Sequence, residues 1–258
     1  MKSPALRVFS HTCSNTEIVC ALGCGDQLIG VDADSDYPPE IVSRLPQPGR
    51  DLDLDTGAVL ALQPDLVLTS LTVPGHERIV DEFKAMGLKT ITIDPQSLDD
   101  VFASIATIAD VLEVSERGAH LIRQMRAQMP AVGTRHHRPR ILVEWWPKPV
   151  IVPARRSWVT DIIELAGGCN PCGDIDAKSW ALPDDDHQTY TADAIVMSWC
   201  GVQQSKYRPE IVRRREHWRH WPALSNNQIY AVTEAWLGRP GPRLVEGYAA
   251  LRRIIEAL

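Results

Sequence analysis

The sequence has no long hydrophobic run. Although 44% of its 258 residues are apolar, no stretch of them approaches the roughly twenty residues a transmembrane helix needs. It is also short of positive charge. Lys and Arg number 27 against 33 Asp and Glu, for a formal net charge of −6, and nucleic-acid surfaces are built on clustered Lys and Arg. The densest basic stretch, Arg208 to Arg219, is broken by Glu210, Glu216, His217 and Trp218 and reads as a solvated face. Nucleic-acid binding is therefore excluded. The opening residues, MKSPALRVFSHTCSNTEIVCALG, lack the apolar core of a secretory signal, so the expected location is the cytoplasm as written, or the periplasm if a leader was removed. Enzyme signatures are missing too: there is no GxSxG, no Walker loop, and no GxGxxG after a strand. The expectation is a non-enzyme that requires no cofactor and holds no metal.

Aromatics are scarce, at 6%, and unevenly placed. All eight tryptophans lie between Trp145 and Trp236, whereas the three phenylalanines (Phe9, Phe83, Phe102) lie in the first half. The six cysteines (13, 20, 24, 169, 172, 200) fit buried thiols in a reducing compartment. Cys169-Asn-Pro-Cys172 follows Gly167-Gly168, a helix stop, whereas a redox CxxC opens a helix. With no second pair to complete a zinc site, structural thiols are favoured.

Short apolar runs bounded by turn residues alternate with stretches of helical period, the α/β pattern. Strands are expected at 7–9, 28–31, 65–69, 89–93, 140–144, 194–198 and 228–232, and helices at 15–22, 56–62, 76–86, 98–112, 158–166 and 243–257. The strand runs are too continuous to be half-exposed, which favours parallel sheets covered on both faces. Residues 5–113 and 140–258 repeat one order of events: RVFS and RILVEW, then a helix, ALQPDLVLTS and TYTADAIVMSW, then ITID and IYAV, then a closing helix. The expectation is an N-terminal α/β lobe over 1–113, an interlobe helix over 114–133 and a C-terminal α/β lobe over 134–258. The helix, Ser115 to Met129, would span about 22 Å. Ligands of such sheets bind beyond the carboxyl ends of strands, here in an interlobe cleft.

Candidate site residues follow from that placement. Ser14-Asn-Thr-Glu17 reads as a capping box, with Ser14 and Asn15 at a helix N-terminus whose amides could hold a ligand oxygen; a plain helix start accounts for the same residues. SDYPPE presents Tyr37 on a proline-stiffened loop. Trp145 and Trp146 end the strand ILVEWW, Trp199 ends AIVMSW, and Trp236 follows IYAV, so four indoles would line one wall of the cleft. Trp218 and Trp221 read as packing on one helix. Arg239 and Arg243, in GRPGPR, could meet an acidic ligand group.

Taken in order, SNTEIVCALG, SDYPPE, ALQPDLVLTS, GHERIVDEF, MGLKTITIDPQSLDDV and AWLGRPGPRL resemble the class III solute-binding proteins of ABC importers, and most of all their vitamin B12-binding branch. The resemblance covers nearly the whole chain. It implies two lobes joined by one long helix and a cobalamin or related corrinoid held between aromatics, with Tyr37 and Trp236 matching the pattern and Trp145 or Trp146 nearby. It also implies docking on the importer's membrane subunits through acidic residues, for which Glu77 matches on the first lobe while Gly238 stands at the second position. A tryptophan of that branch is missing from 69–73. The chain is expected to be a monomer. The alternatives are a siderophore or haem binder, with Arg156 joining Arg239 and Arg243, or a cytosolic metal or thiol enzyme or metallocluster scaffold built on Cys169, Cys172 and Cys200.

Overall fold

The computed structural model describes residues 6–133, 137–183 and 189–258; the lobe boundary expected at 134 lies outside them. The architecture is mixed α/β with parallel-sheet cores. The first part of the chain runs β1 (Val8–Ser10), α1 (Cys13–Ala21), β2 (Leu28–Val31), α2 (Pro39–Val42), β3 (Gly49–Arg50), β4 (Asp53–Leu54), α3 (Thr56–Ala61), β5 (Leu66–Ser70), α4 (His76–Ala85) and β6 (Thr90–Ile93), followed by α5 (Leu98–Val111) and α6 (Ser115–Gln128). Two compact units are present: Met1–Pro95 with Phe102–Arg123, and Gln96–Val101 with Gln124–Leu258. The division thus falls within α5 and α6. No described helix is long and apolar enough to cross a membrane.

The first unit holds a four-stranded parallel sheet in the order β2-β1-β5-β6. Its core joins Phe9, Leu54, Val59, Val67, Ile79 and Phe83, with the two phenylalanine rings 6.5 Å apart. α4 explains itself by spacing: His76, Ile79, Val80 and Phe83 are buried while Glu77 and Arg78 face water. The helix after β1 begins earlier than the capping box suggests. Thr12, not Ser14, stands at its N-cap, and no side chain caps it. Ser14 is instead buried in the first turn, 3.2 Å from the Thr12 hydroxyl.

In the second unit the chain forms β7 (Ile141–Glu144), β8 (Trp146–Pro147), β9 (Val150–Pro153), α7 (Trp158–Leu165), β10 (Ser179–Ala181), β11 (Ala194–Met197), α8 (Pro209–Arg213), α9 (Pro222–Ser225), β12 (Ile229–Ala231), α10 (Glu234–Leu237) and α11 (Leu244–Glu256). β12, β11 and β7 make a parallel sheet in that order. A second, antiparallel sheet, β10-β9-β8, has no counterpart in the expected strands. Its proline-rich segment WWPKPVIVP and its two- and three-residue strands carry too little alternation to be read.

Trp218 and Trp221 do not share a helix: Glu216–Trp218 is a 3-10 turn and α9 starts at Pro222. They are packing residues all the same. Their rings stack at 4.2 Å and 10°, inside a core with Leu142, Val152, Ile195, Met197 and Trp199.

Beneath this core lies a buried ion pair. Glu144, the last residue of β7, is fully enclosed, and both its oxygens accept from Arg215, at 2.9 and 2.8 Å. Arg215 also donates to the Pro147 carbonyl at 2.9 Å and lies 4.4 Å from the centre of the Trp218 ring. Removing one partner of such a pair strands the other charge in a dry environment, which costs about 3–5 kcal/mol. Arg215→Ala should therefore destabilise the protein by about that much in urea unfolding. Arg213→Ala, which removes the exposed Glu210 pair, should cost less than about 1 kcal/mol.

Candidate functional site

In the first unit the strand order reverses between β1 and β5, so their carboxyl ends form a switch point, the place where open α/β sheets bind ligands. Polar residues crowd there. Asn15 is fully buried and its amide donates to the carbonyls of His11 and Thr69, both at 3.0 Å, which stitches the two strand ends together. Thr12 adopts φ +83°, a conformation non-glycine residues take only when held. Its amide donates to Asp32 Oδ2 at 2.8 Å, and Asp32 also accepts from Ser35 Oγ at 2.8 Å and the Asp34 amide at 3.0 Å. Ser14 and Asn15 thus hold the β1–α1 turn in shape, and neither presents an open side chain.

Sequence reasoning missed the histidines of this region. His11, one residue after β1, and His76, the first residue of α4, are both fully buried with ring centroids 4.8 Å apart. His11 Nε2 donates to the Asp51 carbonyl at 2.8 Å; His76 Nε2 is 3.4 Å from Asp51 Oδ2. The one available signal was a histidine directly after a strand, in RVFSHT. Tyr37, by contrast, lies where its loop suggests, 45% exposed before the cis Tyr37–Pro38 bond. Glu77 is exposed on the first turn of α4, its carboxylate accepting from the Gly75 amide at 2.8 Å.

The four tryptophans of the second unit separate. Trp146 is 44% exposed on β8, its indole N–H donating to the Lys148 carbonyl at 3.1 Å. Pairing aligns Trp146, Ile151 and Ala181 across the antiparallel sheet, so they share one face, while Val152 and Trp180 share the other. Trp145 is half-buried, 5.8 Å from the Trp158 ring. Trp199 does not line a surface. Only 3% exposed, it packs on Tyr207 at 5.2 Å and donates its indole N–H to Glu144 at 3.2 Å, so it belongs to the core. Trp236 is half-buried on α10, in a shallow depression of about 280 Å3 with Tyr230, Ala250 and Ile254. Gly247 sets that position, because a Cβ there would run into the Trp236 carbonyl.

The arginines also part company. Arg239 is largely enclosed and paired with Glu234 at 3.3 Å; Arg243 is half-buried at the start of α11. Arg155 and Arg156, exposed before α7, share the single carboxylate of Asp176 at 2.7 and 3.4 Å.

Burial pushes the Cys172 thiol up to about 12 and raises Cys169 as well, and Asn170 Oδ1 accepts from the Cys172 amide at 3.0 Å. The CxxC segment is a structural turn. Among the described residues no group of three or more His, Cys, Asp and Glu is placed to hold a metal ion.

The family profile of the Periplasmic binding protein matches residues 8–235. An ABC transporter substrate-binding lipoprotein, YvrC, from Bacillus subtilis is 25% identical over 265 residues, covering 99% of this chain and 81% of the relative. A vitamin B12-binding protein from Vibrio cholerae is 24% identical over 257 residues, covering 94% and 86%. Among solved structures, the apo periplasmic heme-binding protein RhuT from Roseiflexus sp. RS-1 superposes with a TM-score of 0.81 at 24% identity, covering 98% and 99% of the two chains. The periplasmic vitamin B12-binding protein BtuF of Vibrio cholerae does so at 0.76 and 22%, covering 98% of each. The chain belongs to the periplasmic binding protein family. Its members bind solutes without transforming them, and the small molecule is cargo rather than a cofactor. That removes the metal or thiol enzyme as a reading.

Two titrating groups at the β1–α1 turn act in opposite senses. Burial raises Asp32 to about 6, against the hydrogen bonds from Ser35, Asp34 and Thr12, and burial lowers His11 to about 4. Asp32 holds its proton more tightly folded than unfolded, so its contribution is complete below about pH 4 and is lost as pH rises through 6. For His11 the contribution is complete above about pH 6.5 and is lost as pH falls through 4. Between pH 4 and 6 the two offset each other. Asp32→Asn should expose the histidine limb: relative to the native chain, its stability should fall by up to ~3 kcal/mol from pH 7 to about 4.2, read by urea unfolding.

Proposed function

We propose that the protein is the solute-binding component of an ABC importer and that its ligand is cobalamin or a related corrinoid. The observation that carries this reading is Trp146, a large indole left open on the face of the antiparallel sheet. An exposed tryptophan of that kind suits the face of a large, flat, partly apolar ligand, and burying its ring supplies affinity at small entropic cost. Tyr37, with a similar exposure in the other unit, offers a second flat surface. Trp145 and Trp236 are the half-buried members of the set, and Arg243, half-buried at the start of α11, is the cation proposed to meet an acidic group of the ligand. Ser14 and Asn15, which hold the β1–α1 turn, and Trp199, which packs in the core of the second unit, are not proposed as ligand contacts. The names of the curated relatives from Vibrio agree with the ligand. Glu77, exposed on α4, is the proposed contact to the importer's membrane subunits, and the proposed location is the periplasmic side of the membrane with the chain a monomer.

Titration with cyanocobalamin, followed by tryptophan quenching and calorimetry, tests the reading. Micromolar or tighter binding is expected, weakened about tenfold by Trp146→Ala at unchanged thermal stability, as the loss of a stacking contact of ~1–1.5 kcal/mol requires. Absence of both heat and quenching overturns the corrinoid assignment.

A second reading, a haem binder, is favoured by Arg155 and Arg156. Two exposed guanidiniums around one carboxylate leave a positive charge over, the complement of a haem propionate. Haem absorbance separates the two: a Soret shift that the double change Arg155→Ala and Arg156→Ala removes, with no cobalamin binding, selects haem.

A further inference from the structure

His11 ties the end of β1 to the β3–β4 turn through one hydrogen bond, Nε2 to the Asp51 carbonyl at 2.8 Å. That turn is otherwise held from the β2 side, where Arg50 meets Asp34 at 2.8 Å and the Asp51 amide donates to Asp34 Oδ2 at 3.0 Å. α4 holds it too, through His76 on Asp51 Oδ2 and through Arg78, which donates to the Leu52 carbonyl at 3.0 Å. Because His11 Nε2 must carry the hydrogen that the carbonyl accepts, a neutral ring leaves Nδ1 as a bare lone pair. It is buried and has no partner, and the same is true of His76 Nδ1.

That environment accepts a neutral imidazole and rejects a charged one. A second proton on His11 would sit at Nδ1 with nothing to accept it, beside the His76 ring at 4.8 Å and away from water. The charged groups facing the pair are Asp51 from the turn and His76 from α4; Asp32 and Asp34 at the end of β2, Arg50 on β3 and Arg78 on α4 lie one bond further out. Of the carboxylates, that of Asp51 is the one facing the pair directly, and His76 Nε2 already occupies one of its oxygens.

We propose that the His11–Asp51 contact is a proton-operated latch of the first unit: with His11 neutral it fastens the β3–β4 turn to the end of β1, and protonation of His11 expels the ring and frees the turn. The latch does not depend on which solute the protein carries. Its range follows from the burial that lowers His11 to about 4. If the released ring regains its ordinary value of 6.5, the equilibrium for opening rises about fifty-fold between pH 7 and 4.5.

Amide hydrogen exchange of residues 50–54, corrected for the intrinsic pH dependence of exchange, reads the opening directly in the full chain. Protection in this turn should fall about fifty-fold from pH 7 to 4.5 while β5 changes by less than threefold. In His11→Phe, which keeps a ring of similar size but no donor, protection should be lower at neutral pH and the same at both values. Should that variant fail to fold, NMR titration of the His11 ring in the native chain decides: a midpoint below 5 that coincides with the loss of protection supports the latch. A midpoint near 6.5, a turn whose protection does not change with pH, or a pH response retained in His11→Phe overturns it.

Discussion

The second unit depends on a charge buried where β7 ends. Glu144 lies at the carboxyl end of an edge strand of the parallel sheet, yet it has no access to water, and such a carboxylate is tolerable only if its charge and lone pairs are met. Arg215 meets both oxygens, Trp199 supplies a third donor, and the same guanidinium reaches the Pro147 carbonyl and covers the Trp218 ring. Four separate stretches of chain are thereby fixed to one point: the start of the antiparallel sheet, the residues after β11, the turn at 216–218 and β7 itself. The stacked Trp218–Trp221 pair and Tyr207 then close over it. Trp146 is held out in solvent because the segment on which it lies is anchored from beneath by this pair.

The two units use their strand ends differently. In the first, the switch point is filled by the protein's own polar groups. Asn15 bridges β1 and β5, Asp32 holds Thr12 in an unusual conformation, and the histidines occupy the remaining space. In the second, the chain leaving β7 turns into a small sheet with an indole on its open face. One end is a network of hydrogen bonds and the other is a stacking surface, although both derive from a strand followed by polar or aromatic residues.

Much of this could be read from the sequence because burial leaves a regular trace there. LIGV at 28–31 and AIVM at 194–197 are apolar throughout, as strands covered on both faces must be, and the i, i+3, i+4 spacing of Ile79, Val80 and Phe83 marks α4. Which tryptophans face water was not legible. Trp145, Trp146 and Trp199 all follow apolar strands, yet Trp199 turns inward to Glu144, a partner 55 residues away that no local pattern announces. Likewise SNTE has the form of a capping box, but the tertiary bond from Thr12 to Asp32 moves the helix start two residues back. His11, His76 and Asp51 come from three distant segments, and their meeting is a property of the topology alone.

The cysteines carry a consequence for the life of the molecule. Burial raises Cys20 to about 11 and Cys172 to about 12, and it raises Cys24 and Cys169 as well. Since the thiolate is the species that reacts with oxidants and attacks disulfides, a thiol at about 11 presents roughly one reactive molecule in ten thousand at neutral pH. Packing alone, without a cross-link, thus shields the enclosed sulfurs of Cys24 and Cys172, whereas Cys200 stands exposed and is the thiol that an oxidant or a second chain meets first.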